Sequence, residues 1–300
     1  MKRAASEMST GTRSRVGRHT RVMREPVLTA PSPTWSALVW NLNEAGSPKP
    51  RSWAMLRTYQ ADVALLNEAR MPQQNGDYHL DGGNLTLGRD GKTRNWSTMV
   101  VSPYRLERPK HVWSTSYGRR RAPLANSRPG SWTAAVVRVP GAGDVTAISL
   151  YGLLDEKSDA SVHRSLSDIS PLLEDERYNR LLLLGGDLNT WTGWKQGSQH
   201  LARDRVVLDR IRAHGLSDCL IEAVERTGRG PLKGCTCSLG AECRHTRTRL
   251  DRQREDTPYQ MDYLFASRDL IERLDSCTAI EPPADSPSDH FPILATFRKG

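Results

Sequence analysis

From Trp35 onward the chain is a succession of short apolar runs separated by turn-forming residues, with a few longer stretches of helical period. Uninterrupted or alternating apolar runs of about four to eight residues mark strands, whereas apolar positions three and four apart mark a helix packed on one face. Strands are therefore expected at Ser36–Trp40, Val63–Leu66, Ser97–Val101, Thr133–Val139, Val145–Leu150, Leu181–Leu184, Asp262–Ala266 and Pro292–Phe297. Helices are expected at Trp53–Gln60, His163–Leu173 and Arg203–His214, where Val206, Leu208 and Ile211 supply apolar positions and Gly215 ends the turn. Strands and helices are interspersed without strict alternation. That order disfavours a plain Rossmann sheet or alternating barrel and predicts an α/β protein of stacked mixed sheets covered by helices.

The chemistry sits where the apolar runs stop. The first run ends in Asn41-Leu42-Asn43, the second in Asn67-Glu68, and the run before Leu150 ends in Tyr151. The run Leu181–Leu184 leads through Gly185-Gly186 into Asp187-Leu188-Asn189. Near the C-terminus the order reverses: Asp262 opens a strand, and Asp289-His290 precedes the last one. If the late strands run antiparallel to the early ones, all these residues meet on one edge, where α/β sheets bind ligands. Carboxylates, Asn amides and one His at one edge make a hard-oxygen site that suits Mg²⁺ or Mn²⁺ and phosphate oxygens. A carboxylate beside an amide can orient and deprotonate water, and a His backed by Asp can meet charge on a phosphoryl oxygen. Each fragment alone has a plainer explanation as a turn, a surface loop or a solvated strand end. Their joint occurrence in one chain carries the weight.

In this order the fragments resemble the endonuclease/exonuclease/phosphatase superfamily, which has the fold of DNase I. The blocks are Val39-Trp40-Asn41-Leu42-Asn43, Ala61–Glu68, Gly186-Asp187-Leu188-Asn189, Met261-Asp262-Tyr263 and Ser288-Asp289-His290-Phe291-Pro292. The resemblance implies a four-layer sandwich of two packed mixed sheets flanked by helices, and metal-dependent hydrolysis of a phosphoester by in-line water attack. It implies that Glu68, with Asn43 and Asp289, holds the metal. Asp187 would activate water, Asn189 would position it and Asn41 would support the site. His290 would stabilise developing charge, oriented by Asp262, and Tyr151 falls where exonuclease III-like members place an active-site Tyr. Asn43 stands where some members have Asp, and Gly152-Leu153-Leu154-Asp155 departs from the exonuclease III continuation.

Charge extends this picture. Lys and Arg number 43 against 34 Asp and Glu, a formal net charge of +9, which favours polyanionic partners. Residues 1–33 are basic, poor in apolar pattern and closed by Pro26, Pro31 and Pro33; they are expected to be a disordered tail. Residues 34–300 are expected to form one catalytic domain with a Cys- and Arg-rich insertion at about 228–258. Arg119, Arg120 and Arg121, with Trp191 and Trp194 beside the Asp187 block, are candidate substrate contacts, the tryptophans by stacking. A solvated basic face and local packing are their alternatives.

The insertion contains Cys235, Cys237, Cys243 and His245, the inventory of a closed structural zinc site. Reduced loop cysteines and a labile disulfide are the other possibilities. No apolar stretch approaches the roughly 18 residues of a membrane-spanning helix, and no secretory leader is recognisable. A cytoplasmic nuclease or phosphodiesterase acting on DNA or RNA is expected, with no obligate protein partner evident. A phosphatase on a small or lipid phosphoester and an inactive nucleic-acid-binding module are the alternatives.

Overall fold

Alternation along the long strands separates each into two apolar faces, and both faces are covered. The computed structural model describes residues 32–45, 47–73, 76–82, 93–109, 112–114, 120–122, 124, 126–154, 158–194, 197–251 and 258–300. Residues 1–31 of the expected tail fall outside this set, and Pro33–Gly300 forms one compact unit. The chain begins with β1 (Thr34–Asn41), α1 (Pro50–Thr58), β2 (Val63–Ala69), β3 (His79–Gly82) and β4 (Ser97–Ser102). Next come β5 (Leu106–Glu107), β6 (Val112–Ser114), β7 (Arg120–Ala122), β8 (Trp132–Val139) and β9 (Gly143–Leu150). The middle contains α2 (Ser158–Glu174), α3 (Glu176–Asn179), β10 (Leu182–Asp187), α4 (Gln199–Ala213), β11 (Leu216–Asp218) and α5 (Cys219–Thr227). The chain closes with β12 (Asp262–Ser267), α6 (Arg268–Arg273), β13 (Leu274–Ala279) and β14 (Ile293–Arg298).

Among the described residues these strands form two six-stranded mixed sheets, ordered β13-β14-β1-β2-β4-β3 and β11-β12-β10-β9-β8-β5, and a separate β6-β7 pair. Period-two alternation explains the layering. Ala37 and Val39 of β1 and Leu65 of β2 face Ala135, Val137, Ala147 and Leu264 across the central core. The opposite side of the first sheet, with Leu38, Trp40 and Leu66, packs on Trp53 and Leu56 of α1. On the outer side of the second sheet, Ile148, Leu182, Leu184 and Phe265 pack on α2 and α4 through Leu166, Ile169, Val207 and Ile211. The result is the expected four-layer sandwich.

The eight expected strands are present with ends shifted by a few residues, as are the three helices. The pattern missed the shorter elements β3, β5, β6, β7, β11, α3 and α6, and also α5 and β13, which bring Cys219 and Cys277 to the central core. Asp218 caps α5 by accepting hydrogen bonds from the Leu220 and Ile221 amides, and Gly228 ends it in the left-handed region. No helix among the described residues is long and apolar enough to cross a membrane.

Candidate active site

Strand direction brings the polar strand ends together. β1 and β2 are parallel with Asn41 opposite Asn67, so both leave the first sheet at one end. Beyond them the chains stay paired, since the Leu42 amide donates to the Asn67 carbonyl and the Glu44 amide to that of Glu68. In the second sheet β10 and β12 are antiparallel, which sets Asp187 opposite Asp262. β14 is antiparallel to β1, so the residues preceding it arrive at the same edge. There Ser288 Oγ donates to the Asn41 carbonyl (2.6 Å) and accepts from the His290 amide (3.1 Å).

Backbone geometry marks the edge as well. Four described non-glycine residues have positive φ, and three lie here: Asn43 (53°), Glu68 (46°) and Asn189 (50°). A side chain in this region costs about 1–3 kcal/mol, so the surrounding structure must hold it there. Glu68 lies in an irregular stretch where the β2–β4 register shifts between Leu66 and Ala69. Gly186 is bound to its role by contact: at φ +148° an added Cβ would stand 1.9 Å from the Leu150 carbonyl oxygen. No other residue fits there.

At the centre, His290 Nδ1 lies 2.9 and 3.1 Å from the two oxygens of Asp262, and Nε2 lies 3.8 Å from Asp187 Oδ2. All three side chains are buried. Asn41 Nδ2 donates to Asp187 Oδ2 (2.8 Å) and to Glu68 Oε1 (3.4 Å). The Asn189 amide donates to Asp187 Oδ1 (2.9 Å), and Tyr151 Oη donates to Glu68 Oε1 (2.7 Å). Asn43 Nδ2 donates to Asp289 Oδ1 (2.9 Å). The Asn43 backbone amide donates to Asn41 Oδ1 (2.8 Å), so all nine residues expected at the site form one connected network.

The charges are strongly biased. Burial pushes the Asp187 carboxyl up to about 7, with Asp262 and Glu68 adding to it against the opposing His290 and Asn41. Burial works against a charged His290, but Asp262 and Asp187 outweigh it and lift the imidazole to about 9. At neutral pH the ring is therefore an imidazolium with Nδ1–H on Asp262. Burial and the nearby Glu68 and Asp187 push Tyr151 well above its ordinary value of 10.0, so it remains a donor. Burial raises Asp289, but His290 and Arg249 overcome it and hold the carboxyl below the usual range.

Three further residues hold the site and had not been singled out. Arg249 Nε donates to Asp289 Oδ2 (3.2 Å). Thr248 Oγ1 accepts from the Asp262 amide (3.1 Å). Fully buried Asn67 accepts from the Asp187 amide (2.6 Å) and donates to Ser149 Oγ and the Leu150 carbonyl, joining the two sheets. A polar Asn closing an apolar strand was the available signal for the last.

The stacking proposed for Trp191 needs correction. Trp191 is buried against His245 and Tyr259, so its faces are taken by protein. Trp194 is half-buried and donates through Nε1 to Asp204 (3.2 Å). Trp191 therefore belongs to the packing of this loop, while Trp194 keeps part of its ring exposed. Arg119 lies outside the described residues, and Arg120 and Arg121 contribute backbone to β7. Cys235, Cys237, Cys243 and His245 do come together, one ligand atom of each lying within 4.8 Å of the others.

The fold is a sandwich of two packed mixed sheets with this polar edge at one end, and comparison with known proteins agrees with the fold. The model of the endonuclease/exonuclease/phosphatase family matches residues 38–290. The chain belongs to that family. No curated protein sequence matches it significantly. Among solved structures it is similar to an AP endonuclease from Archaeoglobus fulgidus, with 17% identity and TM-score 0.56 over 88% of this chain and 99% of the other. The 3′-5′ exonuclease NExo from Neisseria meningitidis gives 16%, 0.55, 88% and 99% on the same measures. A family protein from Beutenbergia cavernae gives 19%, 0.53, 89% and 72%. At these identities the likeness is one of fold.

Proposed function

We propose that this chain is a divalent-metal-dependent phosphodiesterase that cleaves nucleic acid by in-line attack of water. The observation that carries the reading is the buried Asp262–His290–Asp187 array, in which His290 Nδ1 meets Asp262 and its Nε2 faces Asp187 Oδ2 across 3.8 Å. That separation exceeds a hydrogen bond, so Nε2–H is available to a substrate oxygen. His290 meets charge developing on the phosphoryl group, and Asp262 fixes its tautomer and orientation. Asp187, near 7, is matched to accept a proton from the attacking water at neutral pH. Asn41 and the Asn189 amide each hold one Asp187 oxygen, which fixes the carboxylate plane.

The oxygen donors suit a hard cation. Tyr151 and Asn41 both donate to Oε1 of Glu68, so its Oε2 keeps its coordination capacity, and Asn43 donates through Nδ2 and keeps Oδ1. Glu68 and Asn43, with Asp289 beside them, would hold Mg²⁺ or Mn²⁺, which supplies Lewis-acid neutralisation of phosphate charge. A nucleic-acid substrate is supported by the net charge of +9 and by Arg249 at the site. A similar fold, NExo from Neisseria, has been seen with a product DNA hairpin.

The test is incubation with supercoiled plasmid, single-stranded DNA, RNA and an abasic duplex, with Mg²⁺ or EDTA. Cutting is expected only with metal, and His290→Ala should lower it by about 10²–10⁴. Turnover of small phosphoesters without cutting of any polymer would remove nucleic acid from the proposal and leave the hydrolase.

A further inference from the structure

The insertion after α5 contains a second cluster that the reaction does not use. Its geometry points to a structural zinc site formed by Cys235, Cys237, Cys243 and His245, which clips the insertion onto the loop following Asn189. The sulfurs of Cys235 and Cys243 lie 3.3 and 3.4 Å from His245 Nδ1. Tetrahedral zinc, with Zn–S about 2.3 Å and Zn–N about 2.0–2.1 Å, separates such ligands by about 3.6 Å. The remaining sulfur lies within the same 4.8 Å group. The other ring nitrogen, Nε2, is 2.8 Å from Thr192 Oγ1, the outer contact that fixes a metal-binding imidazole.

Alternatives account for less of this arrangement. One imidazole nitrogen has one lone pair, so it can accept from only one of the two sulfurs that crowd it. A disulfide would join two sulfurs and strand the third, and all three are free thiols here. Three thiolates and Zn²⁺ leave one negative charge, which Arg229, Lys233, Arg244 and Arg247 of the same segment offset.

The consequence lies on either side of His245. On one side, its ring packs on Trp191 at 4.8 Å, and Thr236 Oγ1 donates to the Gly193 carbonyl (3.0 Å). On the other, Thr248 braces the Asp262 amide, its carbonyl accepts from the Phe291 amide (2.7 Å), and Arg249 pairs with Asp289. The zinc therefore stiffens a segment that ends on two site residues, Asp262 and Asp289. It is a positioning device, separate from the cation assigned to Glu68.

The full chain, purified without a metal-affinity tag and dialysed against metal-free buffer, should retain one zinc per chain by elemental analysis. Cobalt exchanged into it should show the intense absorption of tetrahedral thiolate coordination. Cys243→Ser and His245→Ala should lose the zinc, while Cys277→Ser, in β13, keeps it. Should the variants fold poorly, thiol titration of the native wild type decides. Cys235, Cys237 and Cys243 should react only after a zinc chelator is added, and trypsin should then cut the Arg-rich segment roughly tenfold faster. A metal-free protein with freely reactive thiols, or one lighter by a disulfide's two hydrogens, overturns the site whatever the activity on phosphoesters.

Discussion

His290 stands between two carboxylates that differ in what they do to it. Asp262 accepts its Nδ1 hydrogen at 2.9 Å, whereas Asp187 lies 3.8 Å from Nε2 and acts through charge. With Asp187 near 7 and His290 near 9, kcat/KM should be bell-shaped, rising as Asp187 ionises and falling as the imidazolium is lost. Asp262→Asn removes an anion that holds the proton on His290, so the alkaline limb should move down by about 1–3 units. An unmoved limb would mean that His290 is not the group responsible. The same bias has a stability sign. The folded pKa of His290 exceeds its ordinary 6.5, so its contribution is full below about 6.5 and is lost as pH rises through about 9. Buried Asp187 holds its proton above its ordinary 3.8, so its ionisation toward 7 also costs folded stability. Urea denaturation of wild type should therefore show stability falling from pH 6 to 9, with a smaller fall in His290→Ala.

β10 shows how an element's backbone prepares a side chain. Gly185 passes Val39 and Leu65 of the facing sheet, and Gly186 passes the Leu150 carbonyl, which lets Asp187 settle onto Asn67. Gly186→Ala should cost about 4 kcal/mol or more in urea denaturation, because the added methyl meets backbone on a neighbouring strand. Gly197→Ala has a positive φ but open space, and should cost only about 1 kcal/mol. Equal losses would show that conformation, not contact, sets the cost. The elements that read clearly from sequence are those like β10, where an apolar run stops abruptly on a polar block. Thus the eight strands and the residues at their ends were legible. α5 was not singled out, although Asp218 and Gly228 at its ends were readable caps and buried Leu220 and Val224 stand four positions apart. Arg249 lies among several arginines of a turn-rich segment, and only the antiparallel approach of β14 singles it out. Trp191 erred the other way: two residues after Asn189 it looked like a ligand contact, and the insertion that buries it arrives from more than 40 positions later.

At the scale of the whole molecule, the site is a polar seam across an otherwise apolar sandwich. Asn41, Asn67 and Glu68 belong to the first sheet, and each hydrogen-bonds a residue of, or just beyond, a strand of the second: Asp187, Ser149 and Tyr151. His290, entering the first sheet, reaches Asp262 in the second. This seam exists only when both sheets are packed, so a cation held by Glu68 and Asn43 should bind the folded chain and not the unfolded one. Mg²⁺ at a hundred times its dissociation constant should then stabilise the protein by about 2.7 kcal/mol, raising Tm by about 5–10 °C. Glu68→Gln keeps an oxygen for Tyr151 and Asn41 but loses the charge, so it should fold and show almost none of the rise. Matching the ionic strength with KCl separates binding from screening of the net +9 charge. A full Mg²⁺ shift in Glu68→Gln, or an equal shift with KCl, would place the cation elsewhere or nowhere, and the seam would then be held by its hydrogen bonds alone.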